Sequence, residues 1–96
     1  MKYKFHPLAI KELEDSIDYY KNLSLTLGLE FLEEFHSGIQ RILKFPFAWI
    51  KLTKTCRRCI LNRFPYGIIY TMEEDLIIIV AVMQLNKKPN YWEKRE

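Results

Sequence analysis

The side chains with the chemistry to engage a partner are basic and aromatic, and they crowd the second half of the chain. Five bases and no acid fall from Lys51 to Arg63: Lys51, Lys54, Arg57, Arg58 and Arg63. Lys87, Lys88, Tyr91 and Trp92 follow near the end. Bases interleaved with aromatics hold nucleic acid by phosphate contacts and stacking. The same set docks an acidic protein segment, and a solvated basic face is the plain alternative. Cys56 and Cys59 form a C-x-x-C, but no second Cys pair or close His pair completes a zinc site. In a strand, residues three apart point to opposite faces about 10 Å apart, too far for a disulfide. Both therefore read as free thiols. His6 and His36 have no carboxylate or Cys at ligand spacing, and His36, beside Glu33 and Glu34, reads as a surface residue. Gly28, Gly38 and Gly67 are isolated, so no loop cradles phosphate. No Ser-His-Asp order stands out, and neither does a carboxylate pair. The acids of the first half read as a solubilising layer.

These residues need a scaffold, and composition bounds it. The chain has 96 residues, 49% hydrophobic and 15% aromatic, enough for one domain over 1–96 with a thin core. No run of 18 apolar residues predicts a membrane span. The start, Met-Lys-Tyr-Lys-Phe-His-Pro, has no apolar signal region, so the cytoplasm is the expected location. The formal charge is +3, but residues 1–46 carry six bases and seven acids, and residues 47–96 nine bases and five acids.

Periodicity then places the elements. Tyr3 and Phe5 alternate with Lys2, Lys4 and His6, predicting a short strand. Pro7 suits the first turn of a helix. Ala9, Leu13, Ile17 and Tyr20 recur at helical spacing, so a helix is expected over about 7–22, with Glu12, Glu14, Asp15 and Asp18 on its other faces. Ser24 or Thr26 can cap a second helix over about 25–44. Its stripe is Leu27, Phe31, Phe35, Ile39 and Ile42, widened by Leu32 and Leu43. Glu30, Glu33 and Glu34 face water, and Pro46 stops the helix. The short link predicts an antiparallel helical hairpin. Residues 47–55 read as a connector with aromatic anchors. Three strands are expected from Arg57 to Phe64, Gly67 to Met72 and Leu76 to Met83, an antiparallel meander in which Phe64 and Tyr70 are packing residues. The apolar run from Leu76 reads as a central strand. The order is β-α-α-β-β-β, an α+β fold with the hairpin on one face of a small antiparallel sheet and the other face open.

Lined up this way, the chain resembles the RelE/ParE superfamily of type II toxin–antitoxin toxins, in its ParE-like, plasmid-stabilisation branch. The resembling stretches are Phe5-His-Pro-Leu-Ala, Glu12-Leu13, Asp18-Tyr-Tyr20 and Gly28-Leu-Glu-Phe-Leu32, then Arg57-Arg58, Arg63-Phe-Pro-Tyr-Gly-Ile-Ile-Tyr70, Ala81-Val82 and Pro89-Asn-Tyr-Trp92. The resemblance implies a helical hairpin on a small antiparallel sheet and a growth-inhibiting toxin neutralised by a cognate antitoxin. RelE-like members cleave messenger RNA on the ribosome, with cations stabilising charge at the scissile phosphate. Of that pattern Arg58 and Tyr91 match and are the weak catalytic candidates. The other cationic positions fall on Ile60, Gly67 and Leu85, and a His position falls on Gln84. Arg63, Lys87 and Lys88 could substitute from nearby. ParE-like members inhibit DNA gyrase by binding, without chemistry of their own. The expected function is thus binding of an intracellular target, gyrase first, with ribosome-dependent mRNA cleavage as the alternative. A stand-alone nucleic-acid-binding module is the reading from another class. Candidate target- or antitoxin-contact residues are Arg57, Arg58, Arg63, Lys87, Lys88, Tyr91 and Trp92, though the last two can instead pack the C-terminus onto the sheet. No cofactor or metal is expected.

Overall fold

A computed structural model of the chain describes residues 1–88 and 90–95. Pro89, part of the last resembling stretch, and Glu96 lie outside the described residues. Strand β1 (Lys2–Phe5) leads into helix α1 (Pro7–Leu23) and helix α2 (Leu25–Lys44). Strands β2 (Ile50–Lys51), β3 (Cys56–Ile60), β4 (Tyr66–Glu73) and β5 (Leu76–Gln84) follow, then a 3-10 turn over Glu93–Arg95. The five strands form one sheet in the order β1-β5-β4-β3-β2.

The helices begin where their first turns find caps. His6, expected as the end of the strand, instead caps α1: its Nδ1 accepts the Leu8 N–H at 3.1 Å. Ser24 alone links the helices, and its Oγ accepts the Leu27 N–H at 3.4 Å. A Cβ on Gly28 would stand 2.9 Å from the Lys21 Cα, so the hairpin closes this tightly only on a glycine. Phe31, Phe35, Ile39 and Ile42 of α2 and Ala9 of α1 are buried against Ile68, Tyr70, Ile77, Ile79 and Val82 of the sheet. Tyr20, Phe31, Phe64 and Tyr66 form an aromatic knot with ring centroids 4.9 Å apart for Tyr20–Phe64 and 5.0 Å for Phe31–Tyr66. Phe64 and Tyr70 are packing residues, as expected. Leu32 is not part of the stripe and lies largely exposed.

Three expectations about the sheet change. β1 pairs parallel to β5, with Tyr3 opposite Ile77, so the sheet is mixed. The long excursion through both helices gives the chain the length a parallel return requires. The segment 47–55 contributes the two-residue strand β2, paired with Arg57 and Arg58. β3 ends at Ile60 because the Asn62 and Arg63 N–H groups are drawn to Glu34 Oε1, at 2.6 and 3.1 Å. Leu61 and Phe64 turn into the core there.

β5 carries one extra residue. Ile69 pairs with Ala81 and Tyr70 with Ile79, so Val80 is a bulge. The bulge shifts the alternation: Ile77, Ile79 and Val82 face the helices, while Val80, Ala81 and Met83 face the other side. That second side, expected open, is partly covered, by the packing of the C-terminal aromatics onto the sheet that the sequence allowed. Trp92 is fully buried there in one cluster with Cys56, Ile69, Val80, Ala81 and Met83, and Leu52 and Tyr91 pack at its margin.

Candidate functional site

Arg58 lies on the second side of the sheet, on β3, opposite Ile69 of β4 and Ile50 of β2. Its aliphatic stem runs over Gly67: a Cβ on that glycine would meet the Arg58 Cγ at 2.9 Å and Cδ at 3.0 Å, and the Leu85 Cδ2 at 3.5 Å. Ile60 is the register partner of Gly67. The three positions where the cleaving branch would place cations, Ile60, Gly67 and Leu85, therefore gather around Arg58. Ile60 is 43% exposed, Leu85 38% and Ile50 63%, so a single guanidinium sits in an exposed apolar rim. The Arg58 Nε is buried without a hydrogen-bond partner.

Tyr91, the other matching residue, is committed to a different task. Its hydroxyl donates to Glu12 Oε2 at 2.7 Å. Burial, then the Glu12 hydrogen bond and charge, push its ionisation well above the ordinary tyrosine range. Glu12 holds more than this tyrosine. Its Oε1 accepts the Val82 N–H at 3.0 Å and Arg95 Nη1 at 2.8 Å, and its Oε2 accepts Arg95 Nη2 at 3.1 Å. Arg95 Nη1 also donates to the Val80 carbonyl at 3.1 Å. These bonds occupy the edge of β5 beyond the end of β1 and strap the C-terminal segment down, with Trp92 beneath it. Neither Glu12 nor Arg95 stands out in the sequence. The available signal is that Ala9, Glu12 and Ser16 share one helix face, two of them small and buried, which is a close approach to the sheet.

The remaining candidates disperse. Arg57 points to the helix side, where its Nη1 donates to the carbonyls of Phe47 at 3.1 Å and Trp49 at 2.7 Å. Arg63 pairs with Glu30 at 2.6 Å at the β3–β4 turn. Lys87 lies over the Tyr91 ring, its Nζ 5.4 Å from the centroid, and Lys88 is exposed. Cys56 and Cys59 are unbridged and lie in the clusters on opposite faces, as expected. Burial raises the Cys59 thiol, so neither geometry nor charge makes it a nucleophile at neutral pH. His36 is exposed. Among the described residues no group of three or more His, Cys, Asp or Glu could hold a metal ion, and no helix is long and apolar enough to cross a membrane.

The helical hairpin packed on one side of a five-stranded mixed sheet is a fold of a known kind. The sequence model for "ParE toxin of type II toxin-antitoxin system, parDE" matches residues 3–87, and the chain belongs to that family. A solved structure described as "Chromosomal ParDE TA system from P. aeruginosa" superposes with a TM-score of 0.77 at 16% identity, covering 90% of this chain and 97% of that one. At that identity the likeness is one of fold. No curated protein matches the chain.

Proposed function

We propose that this ParE-family toxin arrests growth by binding DNA gyrase in the cytoplasm, and that a cognate antitoxin neutralises it. The observation that carries the reading is the rim around Arg58. Phosphodiester cleavage builds negative charge in its transition state, and losing one preorganised donor costs about 3–4 kcal/mol. Ile60, Gly67 and Leu85 offer no such donor on the face where Arg58 stands. The Tyr91 hydroxyl is engaged by Glu12 and resists ionisation, which unsuits it as a general base. An exposed apolar rim around one cation is instead suited to a protein partner, whose core contacts are apolar and whose arginines are hot spots. The antitoxin would be a small protein with an acidic and apolar segment that folds on binding.

Induced expression tests the reading. The wild type is expected to stop growth, and co-expression of a small reading frame adjacent to its gene to restore it. Normal growth on induction, with salt-dependent binding to nucleic acid in vitro, would replace the toxin with a stand-alone nucleic-acid module.

A further inference from the structure

A concave site lies away from the Arg58 rim, on the helix side of the sheet. α2 ends at Lys44, and the Tyr70 hydroxyl donates to the Pro46 carbonyl at 2.7 Å, fixing where the chain leaves the helix layer. Beyond that point, at the β2–β3–β4 end of the sheet, lies a pocket to whose wall neither helix contributes a residue. It has a volume of about 260 Å³ and is lined by Phe47, Lys51, Lys54, Arg57, Thr71 and Met72 among others, with no acid in its wall.

The cations of this pocket are arranged, not scattered. Lys51 stands directly opposite Arg57 in the antiparallel register, so two positive side chains share one face. Like charges in such a pair are destabilising. Among the described residues no ion pair involves Lys51, Lys54 or Arg57. The Arg57 guanidinium is held in place by the Phe47 and Trp49 carbonyls through Nη1 alone, and it stacks 5.5 Å from the Phe47 ring centroid. Phe47 is 69% exposed and lines the pocket, an aromatic platform for a ligand.

We propose that this pocket binds a nucleotide, with its phosphates on Lys51, Lys54 and Arg57 and its base against Phe47. Three cations around one cavity match the multiple charge of a phosphate group better than the single charge of a carboxylate. The volume, about 260 Å³, lies just below the usual range of ligand pockets, so it takes the phosphates and sugar of one nucleotide, with the base outside against Phe47, and not a strand. The site is separate from the Arg58 rim, so it stands whether or not gyrase is the target.

The test is calorimetric titration of the full-length protein with ADP, inorganic pyrophosphate and octathymidylate at low and physiological ionic strength. ADP is expected to bind. Lys51→Ala/Lys54→Ala, two exposed positions, should weaken it at least about tenfold and flatten its salt dependence by the loss of two phosphate contacts. Phe47→Ala should weaken ADP about tenfold and leave pyrophosphate unchanged, since stacking acts on the base alone. Circular dichroism verifies that each variant is folded. Absence of ADP binding, equal ADP affinity in the double-lysine variant, or no preference for ADP over pyrophosphate would overturn the proposal. Tighter binding of octathymidylate than of ADP would overturn it as a single-nucleotide site.

Discussion

Glu12 gathers four donor groups onto one carboxylate: the Val82 N–H, the Tyr91 hydroxyl and both terminal nitrogens of Arg95. The pair is shielded from solvent, with the Glu12 and Arg95 side chains 18% and 12% exposed. Removing one partner of such a pair strands the other charge. Glu12→Ala is therefore expected to destabilise the fold by about 3 kcal/mol in urea unfolding, and Glu12→Gln, which keeps an acceptor for Val82, by clearly less. A loss under about 0.5 kcal/mol, typical of a surface site, would show that the strap is not held this way. Ionisation gives an independent check. Burial raises the pKa of Tyr91, and of Tyr70, above the ordinary value of 10.0. A group whose folded pKa is raised stabilises fully below its unfolded pKa and loses that contribution as pH rises toward the folded value. The melting temperature should hold up to about pH 10 and fall above it. Tyr91→Phe should soften that alkaline fall. An unchanged slope in that variant would mean Tyr91 ionises as freely folded as unfolded.

At the level of elements, the tightest constraint is the crossing of α1 over α2 at Gly28. The atoms an added methyl would meet are the Lys21 backbone and Cβ, which cannot swing aside as a side-chain tip does. Gly28→Ala should cost about 1–3 kcal/mol as overpacking, despite the better helix propensity of alanine. Stabilisation in thermal melts would show the hairpin can open at no cost. Much of this level is legible in the amino-acid sequence alone. Both helices and the two long antiparallel strands follow from period, Pro7, Ser24 and Pro46, which are local signals. What is not legible depends on distant partners. The parallel pairing of β1, the bulge at Val80 and the early end of β3 under Glu34 leave no periodic trace in their own segments. The site divides the same way. Arg58, Ile60, Gly67 and Leu85 are identifiable one by one from the resemblance, and the fold brings them together. Glu12 looks like any other acid of a solvated helix, and Arg95 like tail charge, because their pairing joins chain ends 83 residues apart.

For the whole molecule, the two sides of the sheet divide the work. One is covered by the helical hairpin except at the β2–β3–β4 end, where the basic pocket opens. The other is closed at the β5 side by Trp92 and left apolar and exposed around Arg58 at the β3 side. The family match ends at residue 87, so the segment that carries Tyr91, Trp92 and Arg95 lies beyond it. In the proposed function the Arg58 rim binds a target and cuts nothing. The most direct test of this is one purified protein measured in two reactions, gyrase supercoiling and a ribosome-containing translation extract with a defined message. The account predicts inhibited supercoiling with the message intact. It also predicts at least about tenfold weaker inhibition by Ile60→Asp, which puts a charge in the apolar rim, while Tyr91→Phe still inhibits. Codon-positioned cuts in the message that vanish in Arg58→Ala and Tyr91→Phe, with supercoiling untouched, would contradict it.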